Sequence, residues 1–241
     1  MLQSARFDSS APASARLAAF QQVLTFDTGI SLVQSSSAIA SQAIKESALL
    51  ASALGGAATL QTQFPTTGIG AQLEQVAQII QARGALGLQR QIFFCSLGGF
   101  DTHSNQLPAQ DSLLAQLNAA MTAFYNATVE LGLAQQVTSF TLSDFSRTFQ
   151  PGSNGGSDHG WGGHHMIMGG AVAGGDVYGQ FPQLALGGPS DAGSNGRWIP
   201  TISVDQYGGT LAQWFGVASA DLPSIFPNIA SFPTPTLAFL G

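Results

Sequence analysis

The chain has four histidines, His103, His159, His164 and His165. They fall with Asp101, Asp111, Asp144 and Asp158 between Cys95 and Met168, fewer than a third of the 241 residues. Such crowding marks the stretch as a metal or acid/base site. Asp101 and His103 lie two apart, so in extended backbone their side chains point the same way and can meet one cation. Asp158-His159 is a second such pair, Asp144 offers a further carboxylate, and His164 and His165 add up to two nitrogens. Mixed Asp/His sets of this kind suit hydrolytic sites for zinc or a harder divalent ion. Asp111 reads instead as the first-turn acid of a helix.

Each of these residues also has a plainer reading. Asp101 can be a turn residue, His103 a loop cap and Asp144 a helix or loop cap. His164 and His165 are adjacent and need not point the same way, so one of them can be structural. Arg147, three residues after Asp144, can orient an anionic substrate through a bidentate contact or simply pair with a carboxylate. Trp161 and Phe145 either line a pocket or pack. Thr102, Ser104, Ser143 and Ser157 carry hydroxyls, but no Gly-x-Ser-x-Gly elbow surrounds any of them. A serine-hydrolase reading is therefore weak.

The elements that must position these groups follow from periodicity. Leu17, Phe20, Val23 and Leu24 give a helix over 13–25. A second helix is expected over 36–54, stopped by Gly55-Gly56, and a third over 71–83, closed by Gly84. The period then changes. Gln91 to Leu97 is continuously apolar and aromatic-rich, the pattern of a strand buried on both faces of a parallel sheet. It delivers Asp101 and His103 just beyond its end. A helix over 110–132 and a second buried strand over 137–142 follow, which predicts a right-handed βαβ unit with both polar motifs at one sheet edge.

After a Gly/Ser-rich loop, Met166–Val172 fits a short strand or helix. Further strand candidates lie at 176–178 and 184–186, and Asp205 is positioned to cap a helix through Phe215. The expected organisation is one α/β domain over 1–241, loosely held over 1–15 and ending in an extended Pro-rich tail over 222–241.

Composition narrows the partners. Charged residues are only 8% of the chain, Lys45 is the only lysine, and the net charge is −6. A chain so poor in Lys and Arg cannot neutralise a run of phosphates, so nucleic acid is not expected. No apolar run approaches the ~20 residues of a membrane span, and the sequence shows no basic-then-apolar leader at its start. Cys95 has no intrachain partner and reads as a buried structural thiol.

Taken together, Gly98-Gly99-Phe100-Asp101-Thr102-His103-Ser104, Ser143-Asp144-Phe145-Ser146-Arg147-Thr148 and Asp158-His159-Gly160-Trp161-Gly162-Gly163-His164-His165 resemble the C-terminal half of a family of exported bacterial proteins. This is domain of unknown function 1501, grouped with the alkaline phosphatase and sulfatase superfamily. The resemblance runs from about Phe93 to near the end. It implies an alkaline phosphatase-like three-layer α/β/α sandwich, with Asp101, His103, Asp144, Asp158, His159 and one of His164/His165 as ligand candidates. It also implies a periplasmic or secreted location. Residues 1–90 show no strand followed by an acidic ligand and a Ser or Thr nucleophile, so a chain lacking the N-terminal part of that fold is expected.

The function expected from the sequence is metal-dependent hydrolysis of a small-molecule ester: a phosphate or sulfate ester, or a carboxylic ester or lactone. The cofactor would be a divalent ion (zinc, calcium, magnesium or manganese) held by Asp101, His103, Asp144, Asp158 and His159. Water activated there would attack, with His164 or His165 as proton carrier and Arg147 on the substrate. The alternative is a non-catalytic exported or envelope protein whose cluster holds a structural metal or is incomplete. Self-association, or pairing with an N-terminal half, fits either reading.

Overall fold

A computed structural model describes residues 11–26 and 28–240. The expectation for residues 1–10 lies outside these. The chain divides into two compact units, the first reaching to Thr59 and including Gln75–Gln91, the second comprising Leu60–Glu74 and Ile92–Gly241.

In the first unit, α1 (Ala11–Val23) and α2 (Ser31–Gly55) form where the apolar spacing places helices. Gly56 ends α2 by donating its N–H to the Ser52 carbonyl. The next helix, α3 (Gly68–Gln81), of which residues 75–81 belong to this unit, stops two residues before the expected end and is followed by one short turn, α4 (Arg83–Leu86). Gly87, left-handed at φ 66°, closes α4, so the stop belongs to Gly87 and not Gly84. Val76, Ala77, Ile80 and Ala82 are buried.

In the second unit the main support is α5 (Gln106–Glu130). It buries Ala120, Ala123, Phe124 and Ala127, spaced at three and four residues as a helix face requires. Glu130 near its end accepts hydrogen bonds from the N–H groups of Gln61 (2.7 Å) and Thr62 (2.9 Å) and from Thr62 Oγ1 (2.6 Å), tying down the 61–62 loop. Four short strands follow: β1 (Thr138–Phe140), β2 (Ser146–Arg147), β3 (His159–Gly160) and β4 (Ile167–Gly169). They make two antiparallel pairs, β1 with β4 and β2 with β3.

The architecture is therefore mixed α/β, but the parallel βαβ unit is corrected. Gln91–Leu97 forms no strand, and Ile92 and Phe94 are 78% and 92% exposed. A continuous apolar run becomes a buried strand only when neighbours take its backbone N–H and C=O groups and cover its faces. Here the partner is a side chain: the Gln72 amide donates to the Ser96 carbonyl (3.0 Å) and accepts from the Ser96 N–H (2.9 Å). Cys95 is correspondingly half-buried, and burial pushes its thiol pKa up. The candidates at 176–178 and 184–186 form no strand either; loop geometry prevails there.

Helix α6 (Val204–Phe215) starts two residues earlier than expected because Ser203, not Asp205, is its cap. Ser203 Oγ accepts from the Asp205 N–H (3.1 Å), and Gln206 reciprocates at the Ser203 N–H (3.0 Å). The tail includes α7 (Leu222–Ile225) and buries Leu222, Ile229 and Phe239. Among the described residues no helix is long and apolar enough to cross a membrane.

Candidate metal centre

Three segments of the second unit bring the site together. The loop before α5 carries Asp101 and His103, and it is braced against residues 154–157. The N–H groups of Asn105 and Gln106 donate to the carbonyls of Asn154 (3.2 Å) and Gly155 (3.0 Å), and the Ser157 N–H donates to the Thr102 carbonyl (3.3 Å). The backbones run so close that a methyl group at Gly156 would overlap the His103 carbonyl, which accounts for glycine there. The second support is the β2–β3 ladder, whose register sets Arg147 opposite His159.

Asp101 Oδ1 is the point of convergence. It lies 2.7 Å from His159 Nε2, 2.9 Å from His103 Nε2 and 2.8 Å from Arg147 NH1. The two imidazole Nε2 atoms are 3.2 Å apart. The oxygen and two nitrogens thus form a triangle 2.7–3.2 Å on a side, the size of one face of a small cation's shell with bonds of about 2.0–2.2 Å. Among the described residues these three are the group of carboxylate, imidazole and thiol side chains placed to hold a metal. A hydrogen bond from His159, then one from Arg147 and the nearby imidazoles, outweighs partial desolvation and holds the Asp101 carboxyl below its ordinary pKa.

Each imidazole that presents an Nε2 lone pair to a cation carries its proton on Nδ1. For His103 that nitrogen faces Asp158 Oδ1 at 3.9 Å, so Asp158 stands behind a ligand and not among the ligands. His159 stacks on Phe145, with ring centroids 4.6 Å apart at 25°. Asp144 is exposed on the loop before β2 and outside the triangle.

Arg147 is only 10% exposed. Its NH1 donates to Asp101 Oδ1, its NH2 to the Ser157 carbonyl, and its Nε is buried without a hydrogen-bond partner among the described residues. It acts on the site through Asp101 and the 157 loop.

His164 and His165 are outside the triangle as well. They line a cavity of about 240 Å³ whose walls also include Phe100, Phe145, Trp161 and Arg147. His164 stacks on Phe181 and His165 on Tyr207, at 5.1 and 5.7 Å. Burial, and then the neighbouring His164, hold His165 below its usual pKa, which leaves it neutral near pH 7.

One more residue had no local signal. Arg197 Nε donates to the His159 carbonyl at 3.2 Å, across 38 positions of sequence. A contact of that span is invisible to spacing arguments.

A family model described as a protein of unknown function, DUF1501, matches residues 2–192. The chain belongs to this family. The match takes in the helices of the first unit as well as all three motifs, so kinship with the DUF1501 family begins well before Phe93. No curated protein and no solved structure matches the chain.

Proposed function

We propose that this DUF1501 protein is a metal-dependent hydrolase acting on a small ester-type bond. The observation that supports this is the convergence of Asp101 Oδ1, His103 Nε2 and His159 Nε2 on one point while each side chain stays about half exposed, at 55%, 53% and 54%. Structural metal sites are closed by four protein ligands, whereas catalytic ones keep positions open for water and substrate. A divalent ion bound here supplies a Lewis acid and brings the pKa of a bound water down to about 7.

The chain's own residues do the rest. Arg147 keeps Asp101 ionised and fixed. Asp158, 3.9 Å from His103 Nδ1, adds a negative charge behind that imidazole. In this reading His165, neutral and on the wall of the adjoining cavity, takes a proton at one ring nitrogen and returns it to the leaving oxygen.

The finer architecture, an alkaline phosphatase-like three-layer sandwich, belongs to the same proposal. It rests on the resemblance of the three Asp/His motifs to that superfamily. An exported location is part of it too, on the strength of the family resemblance and low charge.

Elemental analysis of the purified chain, with hydrolysis of chromogenic carboxyl, phosphate and sulfate esters before and after chelation, tests the reading. About one ion per chain with chelator-sensitive turnover supports it. A chain without metal that turns over no ester sinks it.

A further inference from the structure

Building on that hydrolase reading, we infer that the cavity beside the donor triangle selects an uncharged substrate, a lactone or small carboxylic ester, over phosphate and sulfate esters. The argument starts from the oxygens that the walls must satisfy. The cavity adjoins the triangle through Arg147, bonded to Asp101, and Phe145, stacked on His159, and in the hydrolase reading either class presents one oxygen to the metal held there. A carboxylic ester then has little negative charge left to place. A phosphate or sulfate monoester has further nonbridging oxygens and at least one full charge, which call for several positive or N–H partners.

The walls offer few such partners, and only one that always carries a positive charge. Arg147 is the single Lys or Arg among the lining residues. Its NH1 donates to Asp101 and its NH2 to the Ser157 carbonyl. Its Nε is buried from any ligand. One N–H of each Nη is therefore engaged by the protein's own groups, and the side chain is only 10% exposed, so little of the fork is left for an oxyanion. Ser143 Oγ, also on the wall, donates to the Phe145 carbonyl at 2.7 Å. Arg197 lies behind His159 and is not part of the wall. A multiply charged anion would lose water here with one largely buried arginine to offset it.

What the walls do offer suits a neutral ring. Trp161 is 58% exposed at the cavity, a free apolar face for a flat substrate. His164 and His165 provide single hydrogen-bonding nitrogens. At about 240 Å³ the cavity is smaller than the roughly 300–1,000 Å³ of pockets for drug-sized ligands, which suits a small ester. The reaction adds one water across the acyl C–O bond. The water oxygen bonds to the carbonyl carbon, the bond from that carbon to the alkoxy oxygen breaks, one water proton ends on the alcohol, and the other is released from the new carboxylic acid.

The test has a binding arm and a turnover arm, both on the full chain. The Trp161 indole N–H resonance, assigned with Trp161→Phe, is followed in chelator-treated and in zinc-loaded protein. The titrants are δ-valerolactone, inorganic phosphate and sulfate. Turnover by the zinc-loaded protein is compared for δ-valerolactone, 4-nitrophenyl acetate, 4-nitrophenyl phosphate and 4-nitrophenyl sulfate. The expected result is a saturable shift with lactone alone, and kcat/KM for the carboxylic esters higher by about 100-fold or more. Phosphate or sulfate shifting the resonance, or faster turnover of either charged ester, overturns the substrate class and leaves the hydrolase reading standing. A lactone shift without turnover of any ester supports the cavity assignment and counts against the hydrolase reading. No shift with lactone overturns the inference.

Discussion

Arg147 and His159 sit opposite each other in the β2–β3 ladder, and the side chains of both reach Asp101 Oδ1, at 2.8 and 2.7 Å. One backbone pairing thus fixes a metal-ligand candidate and the cation that steadies the neighbouring ligand.

If the triangle is the metal centre, its members carry the metal. Asp101→Asn and His159→Ala are each expected to lower metal content below one ion per chain, with far-UV circular dichroism unchanged. Asp144→Asn, outside the triangle, is expected to keep wild-type content. Elemental analysis after dialysis against a weak chelator reads this directly.

Removing the steadying cation is expected to cost less than removing a ligand. Arg147→Met should weaken metal affinity by about 10–100-fold, the range seen when a partner behind a metal ligand is lost. Arg147→Lys should not restore it, because a single ammonium cannot span Asp101 and the Ser157 carbonyl as the planar fork does. Competition with a chromophoric chelator gives the affinities.

His165 sets an acid limb. Its pKa is lowered, so the imidazole stays neutral to a pH below the ordinary 6.5, and activity that uses it as a proton acceptor should hold through that value and fall only below it. The folded state resists protonating this ring, so its contribution to stability is complete above 6.5 and is lost as pH falls from there through the folded pKa. The Cε1 proton shift of His165 against pH reads the titration. A midpoint at or above 6.5 contradicts the assignment.

Two carboxylates govern acid stability. Asp191 is buried; desolvation alone would raise its pKa, but the N–H groups of Gly187, Gly196, Gly193 and Arg197 together pull it below 3.8. Glu130 is lowered by the Thr62 hydroxyl first, then by the Gln61 and Thr62 N–H groups. Both contributions are present above the unfolded pKa values and are lost as pH falls through the lower folded ones. Asp191→Asn and Glu130→Gln should each lower Tm at pH 7 and flatten its fall in acid, as differential scanning fluorimetry across pH would show.

The cap of α6 offers a control remote from the metal ligands. Ser203→Ala removes the acceptor for the Asp205 N–H and is expected to cost about 1 kcal/mol in urea unfolding, with metal content unchanged.

What the sequence determined by itself is what depends on local spacing. The stretches of α1, α2, α3, α5 and α6 follow from apolar periodicity and glycine stops, and Asp101, His103 and His159 stand out by residue type. The expectation of no nucleic-acid partner came from composition in the same way, through the low charge. Tertiary structure decided which donors meet. It set Asp158 behind His103, left Asp144 outside, moved His164 and His165 to a separate wall and engaged the Arg147 fork with Asp101 and Ser157. It also decided that Gln91–Leu97, a strand by its apolar run, has no strand partner. A strand exists only in its pairing, and a metal site only in the convergence of its ligands. Both are set by contacts between residues dozens of positions apart, which no local pattern encodes.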